Sequence, residues 1–184
     1  MHTGKINAIP LLTFFILGIS CVALAQNPPN SLPETYERQE KLTCGEVQIE
    51  VTTRCYAPPE PMSPCLGQRF VFMDLITGKT TTVQNSEGLK GEAFIKGKRL
   101  KVMDGWASGW ACVKSKGVSY LIVANGTGGT CEDCEWFRIY DLTGKCLTPG
   151  RPPLRKYKST FRKVEKRLDL KDSDYENIQY FRHY

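Results

Sequence analysis

Glu46-Val47-Gln48-Ile49-Glu50-Val51-Thr52-Thr53-Arg54 alternates with a period of two. Val47, Ile49, Val51 and Thr53 fall on one side; Glu46, Gln48, Glu50, Thr52 and Arg54 fall on the other. A strand sends successive side chains to opposite faces, so this stretch predicts a half-buried antiparallel strand. Further strand candidates lie at 69–73, 79–84, 92–95, 99–103, 110–114, 118–123 and 135–140, with turn residues between the runs. Tyr120-Leu121-Ile122-Val123 is apolar on both faces and is expected at the centre of a sheet. The expected fold is mainly β: an antiparallel sheet, small sandwich or barrel-like meander, stabilised by disulfides.

Phe72-Met73-Asp74-Leu75-Ile76-Thr77-Gly78-Lys79 resembles Ile139-Tyr140-Asp141-Leu142-Thr143-Gly144-Lys145. In each, an apolar strand ends at Asp-Leu, and Thr-Gly-Lys opens the next. An aspartate can cap such a turn and a glycine can take positive φ, so these are read as two hairpins built with the same turn chemistry.

After Pro149 the pattern changes. Tyr157, Phe161, Val164 and Leu168 recur at helical spacing, with Ser159 or Thr160 available as a cap. The opposite face carries Lys158, Arg162, Lys163, Lys166 and Arg167. This predicts a C-terminal amphipathic helix, followed by a short helix or turn near Asp172 or Ser173 that buries Tyr175, Ile178 and Phe181.

The N-terminus pairs Lys5 with an apolar run from Ile9 to Ile19 and a small-residue exit, Ala23 and Ala25. A charged start, a short apolar middle and an A-x-A exit predict a signal peptide cleaved after Ala25, and hence a periplasmic or secreted protein. Gly18-Ile19-Ser20-Cys21 departs from a lipidation box, so cleavage is expected rather than an anchor at Cys21. Segment by segment, 1–25 is a leader peptide, 26–43 a flexible proline-containing leader to the domain, 44–148 the β-rich domain and 149–184 a basic helical extension. No later segment is apolar over the roughly 20 residues that a transmembrane helix needs. Loss of Lys5 lowers the formal charge from +6 to +5, which is mildly basic.

Seven cysteines follow the cleavage point: Cys44, Cys55, Cys65, Cys112, Cys131, Cys134 and Cys146. In an oxidising compartment they are expected to pair, with an odd one left over. If 46–54 is one strand, Cys44 and Cys55 lie about 36 Å apart, which excludes that bridge. Cys55 with Cys65 would pin a proline-rich loop, Cys131 with Cys134 can close locally, and Cys44 can reach Cys112 or Cys146.

The chain has two histidines, His2 and the penultimate His183. Histidine-activated nucleophiles and histidine-ligated metals therefore lack their central residue, and neither catalytic residues, metal ligands nor a cofactor are expected. Gly126-Thr127-Gly128-Gly129-Thr130-Cys131-Glu132-Asp133-Cys134 has no Lys-Ser/Thr or following helix, so it is not a phosphate loop. Its C-x-x-C precedes a strand, and Glu132 and Asp133 would raise a thiol's pKa, so a structural bridge is expected over a redox pair. Asn125-Gly126-Thr127 is a glycosylation sequon; the leader reads as bacterial, so it is expected to stay unused.

What remains is binding. Trp106, Trp110 and Trp136 could stack on sugars or anchor a partner, if exposed. Arg162, Lys163, Lys166 and Arg167 could meet an anionic envelope component. Nucleic acid is not an expected partner of an exported chain. The expected function is a non-enzymatic binding protein, of the inhibitor or toxin-neutralising kind, acting on a protein partner. The alternatives are a thiol–disulfide protein using Cys131 and Cys134, and a carbohydrate or envelope binder using exposed tryptophans.

Overall fold

The computed structural model describes residues 33–57, 64–85, 90–128, 131, 133–152 and 155–181. The expected leader peptide, most of the proline-rich loop after Cys55, Glu132 and His183 lie outside the described residues.

Strands β1 (Thr35–Cys44), β2 (Val47–Tyr56), β3 (Cys65–Asp74) and β4 (Thr80–Gln84) form an antiparallel meander in chain order. A hairpin follows, β5 (Gly91–Ile95) with β6 (Lys98–Val102). A second sheet holds β7 (Trp106–Ser115), β8 (Val118–Gly126) and β9 (Glu135–Asp141), with two-residue β10 (Gln179–Tyr180) beyond β7. β8 is flanked by β7 and β9, as its two-sided apolar sequence requires: Leu121 and Val123 face one core and Ile122 the other.

The alternating face of β2 builds the main core. Val47, Ile49 and Val51 meet Phe70 and Phe72 of β3 and, from the second sheet, Ala107, Trp110, Leu121, Val123 and Tyr140. Each such side chain contributes about 1.5–3 kcal/mol on burial. The other face of the second sheet is covered by helix α1 (Arg155–Leu168) and the short α2 (Asp172–Glu176). Val164 and Leu168 pack there on Ala111, Val113, Ile122 and Ile139. The architecture is thus sheet on sheet with a helical third layer. No helix among the described residues is long and apolar enough to cross a membrane.

Three boundaries differ from expectation. Residues 35–43, expected within a flexible leader, pair with β2 along their whole length as β1. Its alternation is hard to see because an edge strand buries little: Tyr36, Arg38, Glu40 and Leu42 are only half-buried. The helical segment is not an extension, since α1 closes a core and β10 bonds to β7. Finally, α1 begins at Arg155, which puts Ser159 and Thr160 inside it rather than at its cap.

The two Asp-Leu turns are the same device twice. Asp74 Oδ1 accepts from the backbone N–H groups of Ile76 and Thr77. Asp141 Oδ1 accepts from Thr143 and Lys145 N–H and the Thr143 hydroxyl. The β9 backbone is also covered: the Tyr157 hydroxyl donates to Phe137 O at 2.7 Å and the Thr148 hydroxyl accepts from Ile139 N–H at 2.8 Å. Capping an edge in this way removes a template for strand addition.

Candidate functional site

Three bridges form: Cys44–Cys112, Cys55–Cys65 and Cys131–Cys134. The alternative of Cys44 with Cys146 is therefore not used, and Cys146 is left free and half-buried. Burial pushes its thiol above the usual range, so it stays protonated and a poor nucleophile. Cys131–Cys134 closes a turn between β8 and β9, where Cys134 N–H donates to Cys131 O and Thr127 N–H to Cys134 O. No helix begins there to lower a thiol pKa.

Two of the bridges lie at the same end of the strands. The ends of β2 and β3 are joined by Cys55–Cys65, and Met103 N–H donates to Cys65 O at 2.7 Å, drawing the β6–β7 connection onto them. Cys55, Cys65 and Met103 form a small core with Tyr36 and Trp106 packed against it. Trp106 pairs with Gly126, and the Cys131–Cys134 turn follows directly from that strand end. Here a cleft of about 240 Å³ opens, lined by Pro64, Ala93, Val102, Met103, Trp106 and Thr127, with Glu92 and Asp104 as its acids. Lys101, bonded to Glu92 at 2.5 Å, holds that carboxyl below its usual range. Asp104 is bound by Arg151 at 2.5 Å, and the Arg151 guanidinium lies 5.6 Å from the Trp136 ring centre.

The three tryptophans expected as binding candidates therefore divide. Trp110 is 3% exposed and packs edge-on against Phe181, and Trp136 is 5% exposed, so both are core residues. Trp106 is the half-buried one of the three, and it lines the cleft above. The basic candidates Arg162, Lys163, Lys166 and Arg167 are all exposed on the outer side of α1. Lys158 instead bonds Asp133 at 3.3 Å, tying the helix to the C-x-x-C turn. No group of three or more His, Cys, Asp or Glu side chains close enough to hold a metal occurs among the described residues.

Sequence reasoning missed a buried polar network behind this end. Gln68 Nε2 donates to Thr53 Oγ1 at 2.8 Å and to Ala107 O, while its Oε1 accepts from Ala107 N–H and Asn85 Nδ2. Asn85 Nδ2 also reaches Asn125 Oδ1, and Asn85 Oδ1 accepts from Arg138 and the Tyr140 hydroxyl. The signal was present: Gln68 continues the inward face of Phe70 and Phe72, and Asn125 that of Leu121 and Val123. A polar residue at an inward strand position must find partners inside. Asn125 is 2% exposed and its amide donates to Val123 O, so the folded sequon offers no acceptor nitrogen.

No family model matches the chain, and no curated protein or solved structure is significantly similar to it, so its function rests on the geometry above.

Proposed function

We propose that this chain is an exported, non-enzymatic binding protein that seats a protein partner at its doubly bridged end, with Trp106 as the anchor. The observation that carries this reading is the cleft beside Trp106, whose frame is held by Cys55–Cys65 and Cys131–Cys134. A frame held in advance lowers the ordering cost of association. Phe94, on the hairpin that contributes Ala93 to the cleft, is 78% exposed and supplies a second aromatic contact. Aromatic anchors with a polar rim are the usual anatomy of a protein interface.

A photo-crosslinking amino acid in place of Phe94 tests this in native envelope and secreted extracts. One dominant adduct is expected, absent when Trp106→Ala is added and absent when the crosslinker replaces Val118 at the far end of β8. Adducts indifferent to Trp106 would remove the anchor. A saturable fluorescence change with peptidoglycan fragments, lost in Trp106→Ala, would replace the protein partner with a glycan. Turnover of any substrate at this cleft would overturn the non-enzymatic reading.

A further inference from the structure

The outward face of the first sheet has a hole in its layer of side chains. Strand register sets Glu37, Arg54 and Gly67 in one row across β1, β2 and β3. The next row is Gln39, Thr52, Arg69 and Gln84, reaching β4. Gly67 has no side chain to fill its place, and a Cβ built there would meet nothing within 4 Å. A cavity of about 210 Å³ results, walled by Arg54, Arg69, Glu37 and Gln84 above Thr52. Beside it, the pairing of β2 with β3 shifts register at Arg54/Cys55, a bulge that leaves Leu66 unpaired on the cavity wall.

Two features of this cavity are unexplained by folding. Arg54 and Arg69 sit diagonally across the gap, and neither has an ion-pair partner among the described residues, although Lys41 and Glu50 on the same face do pair. Thr52 is 4% exposed, yet its hydroxyl has no hydrogen-bond partner among the described residues. A buried hydroxyl without a partner is destabilising, and native proteins rarely leave one so. Arg54 and Arg69, both exposed, flank the cavity with buried Thr52 at its base, and arginine binds oxyanions bidentately. Among the described residues Glu37 is the single carboxylate on the wall, against the two arginines, so those side chains carry a net positive charge. Its volume lies below the roughly 300 Å³ at which drug-sized sites begin, which limits the ligand to a small molecule.

We propose that this cavity is a binding site for a small oxyanion, a phosphate or a carboxylate, gripped by Arg54 and Arg69 with Thr52 donating from its floor. The site shares no lining residue with the Trp106 cleft and stands or falls independently of it.

Inorganic phosphate and succinate, each titrated into the oxidised protein and followed by amide and arginine side-chain NMR shifts, test the proposal. Saturable shifts confined to Thr52, Arg54, Gly67 and Arg69 are expected with at least one of them, and the one that saturates identifies the anion. Gly67→Val puts a branched side chain at a position where a Cβ meets nothing within 4 Å, and should abolish the shifts while leaving the thermal midpoint in place. Arg69→Gln should weaken binding about tenfold or more. Thr52→Val should weaken it while leaving the protein as stable or more so. Shifts that never saturate with either anion, or that persist unchanged in Gly67→Val and Arg69→Gln, would overturn the site.

Discussion

Asn85 Nδ2 donates to Asn125 Oδ1 at 3.1 Å, and this contact joins the end of the first sheet to the central strand of the second. Both side chains are almost fully buried. The remaining polar atoms of Asn85 are committed to Gln68, Arg138 and Tyr140. Asn85 follows Thr81 and Val83 on the inward side of β4, and its backbone N–H still donates to Gln68 O at 2.9 Å.

Asn85→Leu should therefore destabilise far more than its volume suggests. It would take one partner each from Gln68, Asn125, Arg138 and Tyr140, all buried, at up to about 1–3 kcal/mol where a group is left unsatisfied. A loss of about 3 kcal/mol or more is expected in urea unfolding. A loss under about 1 kcal/mol would mean the network is replaceable by water.

The bridges should differ in worth with the length of chain they close. Cys44–Cys112 spans 68 residues, Cys55–Cys65 spans 10 and Cys131–Cys134 spans 3. Loop-closure entropy assigns about 4, 3 and 1.5 kcal/mol to them respectively. Paired Cys→Ala variants should lower the unfolding midpoint in that order. Equal losses would argue that native packing around the bridges, not the unfolded chain, sets their contribution.

The related turns allow a controlled comparison of glycines. Gly78 and Gly144 both take positive φ, +70° and +88°. A Cβ on Gly78 meets nothing within 4 Å, whereas one on Gly144 would lie 3.1 Å from both Phe72 and Val83. Gly78→Ala should cost about 1 kcal/mol for the left-handed backbone alone. Gly144→Ala should cost more, since the first sheet must also give way, by about 1–3 kcal/mol for overpacking. Chemical denaturation of the two variants side by side would reveal the difference; identical costs would show that the second turn does not press on the first sheet.

Alkaline pH should unfold the protein through its buried tyrosines. Burial pushes the hydroxyls of Tyr140 and Tyr157 up to about 12, from 10 when exposed. The folded state thus holds its protons where the unfolded state has released them. Their contribution is complete below about pH 10 and is lost as the pH rises towards 12, by on the order of 2 kcal/mol for each group. Tyr157→Phe removes one titration and should flatten that fall, while costing stability at neutral pH through its lost bonds to Phe137. An unchanged alkaline slope in the variant would assign the fall to other groups.

Cys146 should react slowly with a maleimide in the native protein and rapidly after unfolding, because burial keeps its thiol protonated. Rapid native labelling at neutral pH would contradict the packing of that residue beside Tyr140.

Period-two alternation located β2, apolar runs between turn signals located β3 to β9 and helical spacing located α1, because these patterns are local consequences of where one element exposes its side chains. The paired Asp-Leu turns were legible for the same reason: the aspartate bonds that cap each turn lie within five residues. Strand geometry even excluded one bridge, Cys44 with Cys55. The choice of Cys112 over Cys146 depended instead on which strands meet across the sandwich. The same distinction covers the sites. Trp106, Trp110 and Trp136 look alike in sequence, and only packing separates the half-buried one from the two in the core. The gap above Gly67 needs three strands in register before it exists at all. β1 was missed because an edge strand buries too little to write a pattern. Short-range order is encoded by neighbours along the chain, while burial, bridging and cavities arise between residues far apart in it, and only the folded structure sets those distances.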